Sequence, residues 1–273
     1  MESERTERLS TVLSELDNRG ILLITLNRPE KSNAFDSNTI ALLTTTLETY
    51  YHNAEVKCLV LRANGKHFSA GADLKWMLAM SAANYDENLS DASALAQLLY
   101  KLDTFPVPTI ALVQGNAYGG ALGLICCCDI AIGLTNSQYC LSETKLGLVP
   151  ATISPYVVRA MGVRQARFYM LTATPFNGEQ ARALGVLHQI CADHLELQTQ
   201  SQQLIESVLS NSPQAIRRSK ALCFDCDESK IDNALIDLTS QAIALARASK
   251  DGKEGVSAFL EKRAPIWVTR SKD

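Results

Sequence analysis

Two runs of small residues stand where a strand would give way to a turn or a helix: Ser69-Ala-Gly-Ala-Asp73 and Gly115-Asn-Ala-Tyr-Gly-Gly-Ala-Leu-Gly123. Backbone N–H groups at a helix N-terminus are unpaired and carry partial positive charge. Small residues let a ligand oxygen approach them closely. Two such amides aimed at one oxygen form an oxyanion hole, in which one donor lowers a barrier by about 3 kcal/mol. Each run taken alone also fits a tight turn with close helix packing, because glycine is the default turn residue. The second run is not a dinucleotide fingerprint. Its spacing is G-x-x-x-G-G, and no acidic residue ends a second strand about 20 residues on. Gly65-Lys66 lacks the rest of a phosphate loop.

Other reactive side chains have plain readings of their own. Glu143, with Lys145 two residues on, reads in isolation as a paired surface carboxylate. His67 fits a role in shaping the loop before Phe68, and Asp73 one in fixing that loop or standing beside a ligand. Asp129 opens a strand and suits tying down backbone. Trp76, Met77 and Tyr118 fit packing and pocket wall equally. Cys223-Phe-Asp-Cys226 is a lone CxxC without a second ligand pair, so no metal is expected. Cys126, Cys127 and Cys128 lie in an apolar run and read as small buried hydrophobes.

The elements that must carry these residues follow from patterning. Thr11–Leu16 and Ile21–Leu26 flank Asp17-Asn-Arg-Gly20 and read as a β-hairpin. Asp36 or Ser37 caps a helix to about Tyr51, with Ile40, Leu43 and Leu47 on one face. Val56–Leu61, Thr109–Val113, Asp129–Ile132 and Gln138–Leu141 read as strands. Leu74–Met80, Asp91–Leu102, Ala121–Cys128, Pro155–Ala160 and Gly178–Leu184 read as helices. After about residue 192 helices dominate, so an α/β core precedes a helical region, with residues 1–200 and 201–273 as the two parts.

Whole-chain properties exclude several classes. The net charge of −3 over 273 residues gives no reason to expect nucleic acid or an anionic membrane surface. Arg217-Arg-Ser-Lys220 fits a solvated helix face. No stretch stays apolar for the roughly 20 residues of a spanning helix. Met1 to Arg8 is charged and lacks the apolar segment of a secretory signal, and the 8 cysteines fit free thiols, so the cytoplasm is expected.

Read together, the segments Leu26-Asn-Arg-Pro-Glu-Lys-Ser-Asn-Ala34, His67-Phe-Ser-Ala-Gly-Ala-Asp73, Gly115–Gly123, Cys128-Asp-Ile-Ala-Ile132, Ser142–Pro150 and Glu254–Lys262 resemble the enoyl-CoA hydratase/isomerase (crotonase) superfamily in order and spacing. The resemblance covers about residues 10 to 265. It implies a crotonase-like α/β spiral of ββα units with a C-terminal helical region. It implies an acyl-CoA thioester as substrate, with coenzyme A part of that substrate and no separate cofactor. It also implies self-association as a homotrimer or hexamer, with the C-terminal region contributing oligomer and coenzyme A contacts. The amides of Ala70 and Gly120 would hold the thioester oxygen. Lys31, Ala34, Ala70, Ala72, Asp73, Leu74, Gly120, Phe259 and Lys262 would contact the coenzyme A moiety, and Glu143 would be the catalytic acid/base.

One departure from the family stands out. Familiar hydratases carry a first glutamate three residues after the second oxyanion glycine, and here that residue is Gly123. A lone carboxylate at the Glu143 position is what many isomerases of the family show. Lys145–Tyr156 together with Gly123 looks most like the bacterial methylglutaconyl-CoA hydratases of leucine degradation. The resemblance therefore implies a hydratase of that type, with a Δ3,Δ2-enoyl-CoA isomerase as the alternative. A non-catalytic coenzyme A- or RNA-binding relative is the reading from another class.

Overall fold

The computed structural model describes residues 10–227 and 229–268. Strands β1 (Val12–Leu16) and β2 (Ile21–Leu26) pair antiparallel, as the hairpin pattern predicts. Asp17 sets the turn, its Oδ1 accepting from the amides of Arg19 and Ile21. Helix α1 (Ser37–Tyr51) follows, capped by the Asp36 carboxylate on the Thr39 amide at 2.9 Å. Ile40, Leu43 and Leu47 form its buried stripe.

Strand β3 covers Cys58–Ala63, two residues further on than the sequence pattern suggests. Helix α2 is Leu74–Ala82 and α3 is Tyr85–Asp103. The second of these starts six residues earlier than expected, because Asn84 and Glu87 form a reciprocal capping box. Strands β4 (Thr109–Val113) and β5 (Ala117–Tyr118) lead into α4 (Gly120–Cys127). Then come β6 (Ile130–Leu134) and β7 (Gln138–Cys140), a short 3-10 turn at Glu143–Leu146, and α5 (Ser154–Met161). Helix α6 (Val163–Thr172), β8 (Phe176–Asn177), α7 (Gly178–Ala183), β9 (Gln189–Cys191) and α8 (His194–Leu209) complete this half.

The larger sheet runs β1-β2-β3-β4-β6-β9, parallel from β2 onward. Its inner strands are buried on both faces, which is why they read as nearly unbroken apolar runs rather than alternating ones. Asp129 accepts from the Thr109 amide and hydroxyl and so ties the start of β6 to β4. A smaller sheet joins β5, β7 and β8.

The chain divides into two compact units. One holds the residues up to Phe105 together with Thr109–Ser201, and the other Pro106–Pro108 with the residues from Gln202. The second unit is helical in its described residues: the end of α8, then α9 (Pro213–Cys226), α10 (Asn233–Ala248) and α11 (Lys250–Leu260). Ser212, Asp232 and Ser249 cap these last three helices. Among the described residues no helix is long and apolar enough to cross a membrane.

Candidate active site

The two small-residue runs are neighbours in space. Ser69 and Ala117 form a parallel bridge, and the Tyr118 amide donates to the Ser69 carbonyl at 3.1 Å. The approach is so close that a Cβ on Gly71 (φ 84°) would lie 2.7 Å from the Tyr118 carbonyl oxygen. Only glycine satisfies both that contact and that backbone angle.

A network of hydrogen bonds fixes the first loop. Ser32 and Asn33 take up left-handed backbone conformations. The Asn33 side chain accepts from the Arg28 amide and donates to the carbonyls of Asn64 and His67. Ser69 Oγ donates to the Asn33 carbonyl at 2.8 Å and accepts from the Gly71 amide. The Arg28 guanidinium reaches Ala34 O, Asp36 Oδ2 and Asp73 Oδ2 at 3.0, 2.9 and 3.1 Å. Asp73 Oδ1 in turn caps α2 through the amides of Lys75 and Trp76. These α2 amides, with Arg28, hold the Asp73 carboxyl below the usual aspartate range.

This network corrects one expectation. The Ala70 amide donates to the Ser32 carbonyl at 2.9 Å and is therefore not available to a ligand oxygen. The amide left over in the loop is that of Ala72. Its neighbours are pinned to one residue, with Phe35 N donating to Gly71 O and Asp73 N donating to Phe35 O. In a parallel bridge of this kind the intervening Ala72 amide faces away from Phe35, and among the described residues it donates to nothing. The Gly120 amide, first of helix α4, is likewise unengaged among the described residues. The structure thus presents two unpaired amides, from Ala72 and Gly120, on touching loops.

Glu143 stands against the second of these loops. A Cβ on Gly119 would lie 3.2 Å from Glu143 Oε1, and Gly119 itself has φ 54°. Glu143 Oε2 is buried and has no hydrogen-bond partner. Burial pushes the carboxyl above its ordinary value, offset in part by its own backbone amide. A carboxylate with an unpartnered oxygen therefore stands against the loop that leads into the Gly120 amide. It is not the Lys145-paired surface group that the isolated sequence suggested.

The position of the missing second carboxylate is not open space. A Cβ on Gly123 would meet Ile153 Cγ2 at 2.3 Å, Ile153 Cβ at 3.0 Å and Leu99 Cδ2 at 3.3 Å. Ile153 is 1% exposed. A branched apolar side chain from the turn before α5 therefore fills that place. No room is left there for a water or a substrate group. No pattern in the sequence pairs residue 123 with residue 153.

The remaining expected residues lie as follows. Lys31 is exposed at the end of a 3-10 turn, and Ala34 is buried with its carbonyl on Arg28. Leu74 is 81% exposed at the first turn of α2. Trp76 is half-buried and donates through Nε1 to Asp91 at 3.0 Å. Tyr118 accepts at its hydroxyl from Asn116. His67 holds its loop through its carbonyl, which accepts from Asn33 and Gln114. Phe259 and Lys262 sit one turn apart at the exposed end of α11 in the second unit, with the Lys262 amide on the Phe259 carbonyl.

Comparison with known proteins places the chain in a family. Residues 17–270 match the enoyl-CoA hydratase/isomerase family. An enoyl-CoA hydratase from Shewanella pealeana superposes with a TM-score of 0.91 at 46% identity, covering 98% of this chain and 100% of that one. An enoyl-CoA hydratase of Alternaria alternata is 33% identical over 246 residues, 89% of this chain and 80% of that protein. The 2,3-dehydroadipyl-CoA hydratase of Escherichia coli is 30% identical over 251 residues, 92% of this chain and 96% of that protein. With a mixed α/β core and a family match over nearly its whole length, this chain belongs to the enoyl-CoA hydratase/isomerase (crotonase) family.

Proposed function

We propose that the protein adds water across the double bond of a 2-enoyl-CoA, with the amides of Ala72 and Gly120 on the thioester oxygen and Glu143 as the acid/base. The observation that carries this reading is Glu143, whose Oε2 is buried and unpartnered and whose Oε1 lies against Gly119 at the N-terminus of α4. As water adds at the β-carbon, negative charge develops on the thioester oxygen. Two amides stabilise the resulting enolate more than the neutral thioester, and that difference is what accelerates the reaction. Glu143 takes a proton from the water and returns one to the α-carbon. Its raised pKa brings it nearer to the operating pH, which suits a group that must both accept and donate.

The acyl group that best fits is of the methylglutaconyl-CoA type. The support is the likeness of Lys145–Tyr156, with Gly123, to that branch of the family. Exposed apolar side chains such as Leu74, Leu78, Phe259 and Leu260 support self-association as a homotrimer or hexamer.

Ile153 favours a second reading. With an apolar side chain where another carboxylate would orient water, one glutamate moving a proton between two carbons is the chemistry of a Δ3,Δ2-enoyl-CoA isomerase. A panel of enoyl-CoAs, including methylglutaconyl-CoA, separates the two by absorbance and product mass. Hydration removes the conjugated enoyl-thioester band, and isomerisation of a 3-enoyl-CoA creates it. Glu143→Gln should lower turnover by roughly 10²–10⁴-fold while leaving coenzyme A binding nearly intact. Wild-type turnover in that variant would refute the role given to Glu143.

A further inference from the structure

The two free amides are contributed by segments nearly fifty residues apart, and one buried side chain touches the frame of both. Phe35 is 2% exposed. Its backbone accepts from the Asp73 amide and donates to the Gly71 carbonyl, at 3.0 and 2.9 Å, so it brackets Ala72 on both sides. Its ring abuts the other amide's residue: a Cβ on Gly120 would lie 2.8 Å from Phe35 Cζ and 3.1 Å from Cε2. The residue that aims one amide therefore also sets how closely the other can approach.

We infer that Phe35 is a positioning residue whose ring acts as the spacer between the Ala72 and Gly120 amides. The inference rests on the proposed role of those amides. Phe35 makes no contact with reacting atoms; it acts by fixing the distance that one oxygen must span. Main-chain bonds bracket Ala72 directly, whereas those on the second loop end at Tyr118 and Gly119, so the ring is what meets the Gly120 backbone itself. Glycine at 120 lets the ring tip reach the helix backbone, which fixes the helix N-terminus against a rigid aromatic edge rather than a flexible chain. Misplacement of a reacting geometry by about 1 Å costs roughly 10²-fold in rate. Removing the ring tip should be felt in the chemical step more than in binding.

The test uses the full chain and butyryl-CoA carrying ¹³C at the thioester carbonyl, a saturated ligand that cannot react. Infrared difference spectra report the carbonyl stretch, which moves to lower frequency as amides polarise the bond. Phe35→Leu keeps an apolar core residue and shortens the reach to Gly120. Phe35→Met restores the reach, and serves as the second variant if the leucine form does not fold. The expected result is a displaced stretch in the wild type and a smaller displacement in Phe35→Leu. That variant should also lose about 10- to 100-fold in kcat with KM nearly unchanged, and Phe35→Met should recover much of both. A packing role alone would lower the melting temperature without moving the stretch. A displaced stretch in the wild type that is unchanged in Phe35→Leu, with wild-type kcat, overturns the spacer role and leaves the amide pair standing. No displacement in the wild type overturns the amide pair itself, and the spacer role with it.

Discussion

Replacing Gly123 by alanine tests whether Ile153 truly occupies the second-carboxylate position. The added methyl would lie 2.3 Å from Ile153 Cγ2, inside any van der Waals separation, and 3.3 Å from Leu99 Cδ2. Both neighbours are buried, so neither can swing into solvent. Overpacking of this kind costs about 1–3 kcal/mol. Removing a glycine from a helix returns up to about 1 kcal/mol. The net expectation is a loss of about 0–3 kcal/mol. Ile153→Leu deletes the offending Cγ2 at nearly constant volume and alone should cost less than about 1.5 kcal/mol. If the contact is real, the two changes together should be better tolerated than their sum by about 1–2 kcal/mol. Urea unfolding of all four proteins at one pH measures this, with midpoints converted through each protein's own slope. Additivity within about 0.5 kcal/mol would refute the contact and reopen the site to a water or a substrate group. Gly123→Glu alone should be far worse than alanine, because it adds a charge among apolar side chains. Combining it with Ile153→Ala should recover part of the loss.

Three further expectations concern ionisation and thiol exposure. Burial holds the Glu143 proton more tightly in the folded chain, so the acid limb of kcat/KM should lie above 4.5. The same carboxyl makes a contribution to stability that falls as pH rises from 4.5 through the folded pKa. Glu143→Gln should therefore match or exceed the wild-type melting temperature at pH 8 and converge with it below pH 4.5; a variant less stable at pH 8 would contradict this sign. Burial pushes the Cys126 thiol up to about 12, whereas Cys223 and Cys226 are exposed. Timed iodoacetamide labelling read by peptide mass should modify the latter two first, and rapid labelling of Cys126 would count against its raised thiol pKa.

Much of the fold was legible because its signals are local. The hairpin, the Asp36 cap, the stripe of α1 and the apolar inner strands all follow from patterns within a few residues. The start of α3 was hidden because Asn84-Tyr-Asp-Glu-Asn88 looks like a polar loop until Asn84 and Glu87 are seen capping each other. The site was legible as a set of loops, but not amide by amide. Ala70 and Ala72 are chemically identical in sequence, and only the Ser32 and Phe35 contacts decide which one is spoken for. The same holds for Gly123, whose missing side chain reads as a gap until Ile153, thirty residues on, is found inside it. Pairings across such distances depend on register between segments, and a single sequence does not display register.

The interlock between residues 28–36 and 64–73 has a consequence for how this region comes apart. Arg28, Asn33 and Phe35 each bond to the distant loop through different atoms, so the loss of any one bond does not release the two segments. Closing a loop of that span carries an entropic cost that is met once and then shared by every bond behind it. The cradle should therefore form and dissolve as one cooperative unit, its amide protons exchanging together instead of fraying from an edge.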